Sequence, residues 1–599
     1  MGIIRKKIGN IGLETFKEEA EVLLDEIREE TGGLVDTFQF VEDSNGNIAM
    51  EVDQDGKILS YRSKTGTKVE NVGIQLRDRS KINIADNWSG YVSNDGEYPL
   101  CLPEPRCAAL NIISDYDLSQ LSKEGYHGDG APDPIDGVTC NIPTEVEFFD
   151  MQGNYFKKWT LMSAQGASTM IENKKNIAFD FFDTSVYDSN GKLGKGDTFA
   201  IKFGDWVPQD SFHIKAYNND PTKIKAVCAY DFYDSVLKTR ECLEDRTWKK
   251  ATINASGITS SDANISSVDS LMKEFDNGAR CFPKGFPVIV YQNGEFMGIY
   301  MWQLKKHRDN YKMNKNNANH IHLDGEIFDL FSYNGNIDWS VFAGESPDSL
   351  GNVGDVEVRN PKDLYLMDGT KYNADTNRGE FIDSTSSSYK SSNANHVRTA
   401  AVKNALIELS KVDARITAAK DIYEASGKTA EDLAAFKSVF ETYFDPANLI
   451  DYTIVNEIIL NWDSVNHNTQ WTTWDGVKWY ANMYDTDNTF GSNKGGSTPM
   501  APIHDHMDQR LVMYNTILRY YGEELKARYH QLRNLGIIDA NNITDKLLSF
   551  QQRINSDYFK KDWELWHPNA TPKDSIYRIH KFLKEQIANM DVVYQYQAS

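Results

Sequence analysis

Apolar positions first recur with a helical period. Leu13, Phe16, Ala20, Leu23, Leu24 and Ile27 fall on one stripe with acidic residues between them, and Gly32-Gly33 ends it, so a helix is expected over 12–31. The period then shortens to two. Short strands are expected at 39–42, 48–52 and 58–62, turned at Asn45-Gly46 and Asp55-Gly56. Two units open alike, DSNGNIAMEV and DQDGKILSYR. A meander this small cannot bury a core of its own. The helix stripe would be covered by three copies side by side, by a docking partner, or by packing as an arm on the main domain. Residues 63–104 are polar and poorly periodic, which reads as a linker.

The main body opens with the apolar strand CAALNIISDY from Cys107. Residues 122–138 are rich in Gly, Pro and Asp and read as a loop. A hairpin follows over 144–150 and 155–162, then an alternating strand over 173–182 and a β pair within 197–217. Ile224, Val227, Cys228, Tyr233, Val236 and Leu237 give a helical stripe over 223–240. The cationic run Lys305-Lys306-His307-Arg308 is expected on a solvated helix face, the alternative being contact with phosphate or an acidic substrate. Residues 340–396 are rich in Gly, Ser, Asn and Asp and read as a surface insertion, with Ser384–Ser392 a candidate self-modification stretch if the chain is a kinase. Helices are expected at 397–424, at 430–443 behind a Thr429/Asp432 capping box, and at 445–461. The tail over 508–596 reads as three amphipathic helices.

At 599 residues the chain exceeds one small core, and several units are expected. The net charge of −23 and a pI near 5.0 argue against nucleic acid as a partner, because phosphate backbones demand clustered Lys and Arg. Six cysteines, none with C-x-x-C spacing, make neither a zinc site nor a disulfide framework; buried free thiols are expected, although Cys107 could pair with Cys101 or Cys140. No run of apolar residues is long enough to span a membrane, and no secretory signal is visible at the N-terminus.

The densest chemistry lies in Asn461–Gly491. Asn461, Asp463, Asn466 and Asn468 precede two strands, Thr469–Thr473 and Val477–Met483, joined at Asp475-Gly476; Asp485, Asp487 and Asn488 follow. A hairpin returns the chain to its start, so the two polar clusters should meet. Converging hard oxygen ligands suit Mg²⁺ or Mn²⁺ with phosphate completing the shell. The plainer alternative is two turns whose Asn and Asp side chains bond their own backbone. Asp485 and Asp487 alternate, so on extended chain they would face opposite ways. His504-Asp505-His506 is a further candidate cluster.

Three of these stretches resemble the CotH kinase family, atypical kinase-like proteins of spore coats. Asn461-Trp-Asp463, Asn468 and Asp485-Thr-Asp487-Asn-Thr-Phe490-Gly491 are similar to its Asn-x-Asp…Asn and Asp-x-Asp-x-x-Phe-Gly segments. FPVIVYQNGEFMGIY resembles its Asn-Gly-Glu-x-x-Gly-x-Tyr hairpin, and QGASTMIENKKNIAFDFF its Gly-x-Ser…Lys-Lys segment. The resemblance covers about 105–495. It implies an α+β, atypical protein-kinase-like domain at 105–495, between an N-terminal helix and β-hairpin stalk (1–62, then the linker) and a C-terminal helical region (496–599). It also implies Asp463 as general base or hydroxyl-orienting group, Asn468, Asp485 and Asp487 around Mg²⁺, and Lys175 or Lys174 on the phosphates of ATP. Asp234 and Arg240 stand nearest to a further Asp…Arg feature. The Glu that usually follows the family's Gly-x-Tyr is missing from Met301–Arg308. The repeating hairpins resemble phage tail and fibre stalks, which implies a trimer joined through the N-terminus with other virion or coat proteins as partners. Three functions follow: a virion-associated structural protein carrying this domain, an active Ser/Thr protein kinase at a cell or spore surface, and a metal-dependent hydrolase using the same carboxylates.

Overall fold

The computed structural model describes residues 107–122, 140–149, 155–166, 172–203, 206–240, 246–255, 278–325, 359–360, 415–466, 468–492, 500–507 and 512–597, less a few single positions; before residue 107, and at 357–358, 371–373 and 378–380, it describes only the backbone of strands. The expected helix over 12–31 and the Ser384–Ser392 stretch lie outside the described residues.

Five N-terminal strands form one sheet in chain order: β1 (Arg5–Lys7), β2 (Gln39–Glu42), β3 (Ile48–Val52), β4 (Lys57–Arg62) and β5 (Lys68–Gln75). The three strands expected from the repeated units are there. Strand β5 falls in the stretch read as linker and pairs antiparallel with β4. KVENVGIQ places Val69, Val72 and Ile74 among polar neighbours, too irregularly for a period-two reading.

The first large unit is a closed barrel of β6 (Ala108–Ile113), β7 (Ile142–Phe149), β8 (Tyr155–Gln165), β9 (Asn176–Phe182), β10 (Ser211–Lys215), β11 (Gly285–Gln292) and β12 (Glu295–Leu304), in the order β10-β12-β11-β6-β7-β8-β9. Period-two alternation sends Phe179 and Phe181 of β9, Phe212 and Ile214 of β10, and Tyr300 and Trp302 of β12 into one interior cluster. Trp302 is its hub, 4.9 Å from Phe148 and 5.0 Å from Phe212 between ring centres. The same alternation turns His213 and Lys215 of β10 to the other face, opposite Gln303 and Met301 of β12. Met301 belongs to the core of the second unit, so this face of the barrel looks at that unit. Asn293 and Gly294 both have positive φ, 48° and 83°, as a two-residue hairpin turn requires. Met301–Leu304 ends β12 as buried strand; the cationic run that follows is not a solvated helix face, since Lys306 is buried on Asp324 at 2.5 Å and Arg308 opens only a short 3₁₀ turn to Tyr311.

The second unit is mainly helical. Helix α1 (Lys225–Lys238) and α2 (Thr247–Ala255) precede the β11–β12 hairpin; α3 (Ala430–Tyr443) and α4 (Pro446–Ile459) follow it. Thr429 and Asp432 form the expected capping box. Asp445 caps α4 and Pro446 occupies its first turn, where a missing N–H costs nothing. Every residue of α4 from Asn448 to Ile459 is buried, and Leu460 ends the helix in the left-handed region (φ 49°). A short helix, α5 (Trp462–Asn466), leads into a sheet ordered β14-β13-β17-β18, formed by β13 (Ile321–Gly325), β14 (Glu357–Asn360), β17 (Thr469–Thr473) and β18 (Tyr480–Asn482). Strand β14 corrects the surface-insertion reading for its own residues: Asn360 is buried and donates to the His320 carbonyl. A pair β15 (Lys371–Asn373) and β16 (Arg378–Glu380) stands apart.

Among the described residues the tail forms five helices, not three: α6 (Val512–Tyr520), α7 (Gly522–Asn534), α8 (Ala540–Gln551), α9 (Ser556–Trp566) and α10 (Ile576–Val593). Tyr521-Gly522, Gly536 and the Pro572 segment break what reads as longer stripes. Leu525, Tyr529, Ile543, Leu583 and Ile587 of these helices share one core with α1 and α4. Cys228 and Cys281 are buried free thiols, and Cys107 and Cys140 are buried as well. No helix among the described residues is long and apolar enough to cross a membrane.

Candidate functional site

Helix α4 aims the first polar cluster. Asn461 N donates to Asn456 O at 2.8 Å, and the Asn461 amide is pinned to Asn456 Oδ1 at 2.9 Å. Asp463 begins the next helical turn. Asn468, left-handed at φ 61°, donates from Nδ2 to Asp463 Oδ2 at 3.1 Å, which orients that carboxylate. The Asn466 side chain lies outside the described residues. Asp475 Oδ1 takes the Val477 and Lys478 N–H groups at 2.8 Å each to close the hairpin, and β18 carries the chain back.

The second cluster arrives on strained backbone. Asp485 has φ 51°, which breaks the extended alternation and lets Asp485 and Asp487 act on one another. The carboxyl of Asp487 is held well above the usual range, first by burial, then by the neighbouring Asp485 carboxylate, with Asp463 and Asp220 adding and Lys215 opposing. Asp463, Asp485 and Asp487 therefore converge, with Asp220 from the start of α1. Lys215 Nζ stands 3.7 Å from Asp485 Oδ1 and over the Tyr484 ring at 5.4 Å. Such a field favours either a proton or a cation. The donors are hard oxygens, as Mg²⁺ prefers. Among the described residues no group of three or more His, Cys, Asp or Glu side chains is drawn tightly enough to hold a metal by itself, so Asn468 and phosphate oxygens would have to complete a shell built on Asp485 and Asp487.

Of the two candidate lysines, Lys174 is taken up by the tail helices. Lys174 is fully buried in an ion pair with Asp562 of α9, donates to Ile299 O at 2.8 Å, and sits 4.5 Å over the Tyr300 ring. Burial pushes its ammonium down to about 7 against the pull of Asp562. Lys223 stands on the other oxygen of Asp562 at 3.3 Å. Lys175 is also buried, and burial lowers its ammonium against the opposing pull of Glu172. The lysine facing the acidic cluster is Lys215, in mid-strand on β10. Its signal was a lone Lys within the alternating run Ser211–Tyr217, on the strand that precedes α1.

The remaining candidates have structural partners. Arg240 clasps Asp451 through two bonds of 2.6 and 3.0 Å, and Asp234 pairs with Lys238 at 2.5 Å. His506 Nδ1 lies 2.8 Å from Glu457. A cavity lined by Arg246, Trp248 and Phe282 includes Asp234 and Asp451 but none of Asp220, Asp463, Asp485 and Asp487.

Two motif glycines have explicit steric reasons. A Cβ on Gly298 (φ 133°) would lie 2.3 Å from Asp562 Oδ1, and one on Gly491 (φ 75°) would lie 2.5 Å from the Phe582 ring. Both seats belong to the tail helices, so the motifs and the tail form one construction. No curated protein is matched by this chain. A family model described as CotH kinase protein matches residues 162–590, from the barrel strand β8 through α10. With most of its length under that match, and with the family's acidic segments brought together in space, the chain belongs to the CotH kinase family.

Proposed function

We propose that the acidic cluster facing β10 of the barrel binds Mg²⁺ with a nucleoside triphosphate and that the chain transfers the terminal phosphoryl group to a Ser or Thr hydroxyl. The observation that carries this reading is the convergence of Asp463, Asp485 and Asp487 in front of Lys215, where burial and then the neighbouring carboxylates hold the Asp487 carboxyl up. Mg²⁺, when bound, would offset charge on the phosphate oxygens. Asp485 and Asp487 are its carboxylate ligands in this reading, with the Asn468 amide oxygen beside them. Asp463, oriented by Asn468, would accept or direct the hydroxyl proton. Lys215 would meet the phosphates, in place of Lys174 and Lys175. Positioning and charge neutralisation dominate phosphoryl transfer, so these few groups suffice. The test is transfer of labelled phosphate from MgATP to the chain itself and to a Ser/Thr-rich acceptor. Activity in the wild type that is lost in Asp463→Asn supports the reading. Absence of transfer with intact MgATP binding would reduce the site to nucleotide binding alone.

A second reading concerns the N-terminus. The five-stranded sheet of short hairpins favours an attachment region that trimerises and joins other virion or coat proteins. Sedimentation would give a trimer for the full chain and a monomer after deletion of residues 1–62. A full-length monomer would count against it.

A further inference from the structure

The tail helices do more than cover the core. Helix α9 lies on the barrel: Tyr558 meets the Phe296 ring at 5.4 Å, Trp566 Nε1 donates to Met297 O at 2.8 Å, and Asp562 enters the hairpin at Ile299 N. The chain then crosses to α10, where its contacts fall on the acidic loop. Arg578 Nη2 donates to Phe490 O at 2.7 Å and Nη1 to Gly491 O at 3.4 Å. Asp574 holds Arg578 at 2.9 Å, accepts from Ser492 Oγ at 3.1 Å and pairs with buried Lys225 at 2.5 Å. Lys225 lies 3.8 Å from Asp220, which shares the field of Asp487.

The loop needs such support. Asp485, Phe490 and Gly491 are all left-handed, at φ 51°, 56° and 75°. For a bulky residue such as Phe490 this conformation is unfavourable, and it persists only when surrounding contacts over-determine it. Phe490 N is tied to Ile459 O at 2.6 Å, and Gly491 O also accepts from Met500 N at 2.7 Å. Arg578 supplies the contacts that join this loop to the strap crossing between the two units.

We propose that Arg578 and Asp574 are positioning residues for the acidic loop: they fix the Phe490–Gly491 backbone and Lys225, and thereby the placement of Asp485 and Asp487 opposite Lys215. The proposal rests on the Mg²⁺-nucleotide reading for its consequence, but not for its geometry. The test compares wild type, Arg578→Ala and Arg578→Lys by hydrogen–deuterium exchange and by calorimetric titration with Mg²⁺ as its ATP complex. In Arg578→Ala, exchange over 485–492 should quicken while α4 stays protected, and Mg²⁺ binding should weaken about tenfold, the scale of lost charge-assisted bonds. Arg578→Lys should recover part of both, since one ammonium can reach a carbonyl but cannot span carbonyl and Asp574. Unchanged exchange over 485–492, or an equal rise throughout the helical unit, would overturn the proposal. A wild type that takes up no Mg²⁺ would refute the metal reading, and exchange alone would then decide the positioning role.

Discussion

Removal of Asp562 should be among the most damaging single changes in the chain. Its carboxylate is completely buried between Lys174 and Lys223, whose side chains are 0% and 2% exposed, and it also accepts from Ile299 N at 2.9 Å. Asp562→Ala leaves two buried ammonium groups without that carboxylate. Breaking one partner out of a buried pair costs about 3–5 kcal/mol, a large share of the roughly 5–15 kcal/mol that folded chains possess. The cost should depend on pH. Burial already pushes Lys174 down to about 7 with Asp562 beside it; without Asp562 nothing of that size opposes burial. A lysine that is neutral when folded and charged when unfolded loses stability as pH falls, because the unfolded chain binds more protons. The destabilisation should therefore be larger near about pH 6 than near about pH 9. The assay is urea unfolding followed by tryptophan fluorescence and far-ultraviolet circular dichroism, with coincident curves required before a free energy is taken. Glu564→Ala on the same helix, exposed and paired only loosely with Lys560 at 3.8 Å, is the control and should stay within about 0.5 kcal/mol. A loss below about 1 kcal/mol for Asp562→Ala at low pH would refute the buried-triad reasoning.

Asp487 gives a second pH effect of opposite sign. With its carboxyl raised in the fold, the native state binds the extra proton, so stability should fall as pH rises above the ordinary carboxylate range; saturating Mg²⁺ should remove that slope, and Asp487→Asn should abolish it, as thermal unfolding across pH would register. Lys215→Met should weaken MgATP binding by roughly tenfold or more, since a charge-assisted phosphate contact is lost, whereas Lys175→Met should leave it nearly unchanged; calorimetry separates the two. Gly298→Ala should destabilise by more than about 1 kcal/mol, because its Cβ would stand 2.3 Å from Asp562 Oδ1 at a backbone conformation alanine avoids; a neutral result by urea unfolding would contradict the packing described.

Much of the fold was legible because its signals are local. The capping box at Thr429, the Asn293-Gly294 and Asp475-Gly476 turns, and the dense apolar run of α4 each specify an element from a few neighbouring residues. The shared field of Asp463, Asp485 and Asp487 was legible for the same reason, since one hairpin joins them. What escaped depends on distant chain. Lys174 and Lys175 read as phosphate ligands because they open a strand, but Lys174 meets Asp562, 388 positions away. Lys215 looked like an ordinary strand residue until the barrel closed and turned its face toward Asp485. Leu304 ends a buried strand although basic residues follow it, because a run of like charges carries no period. The breaks among the tail helices rest on single residues such as Gly536 (φ 68°), which amphipathic stripes on either side conceal.

The most direct test of the central claim is calorimetric titration of MgATP, paired with thermal unfolding, on the wild type and Asp487→Ala. A ligand at about a hundred times its dissociation constant adds about 2.7 kcal/mol to the native state. The account predicts saturable binding that needs Mg²⁺, raises the unfolding midpoint and vanishes in Asp487→Ala. A wild type that gives neither heat nor a midpoint shift at millimolar MgATP would contradict it.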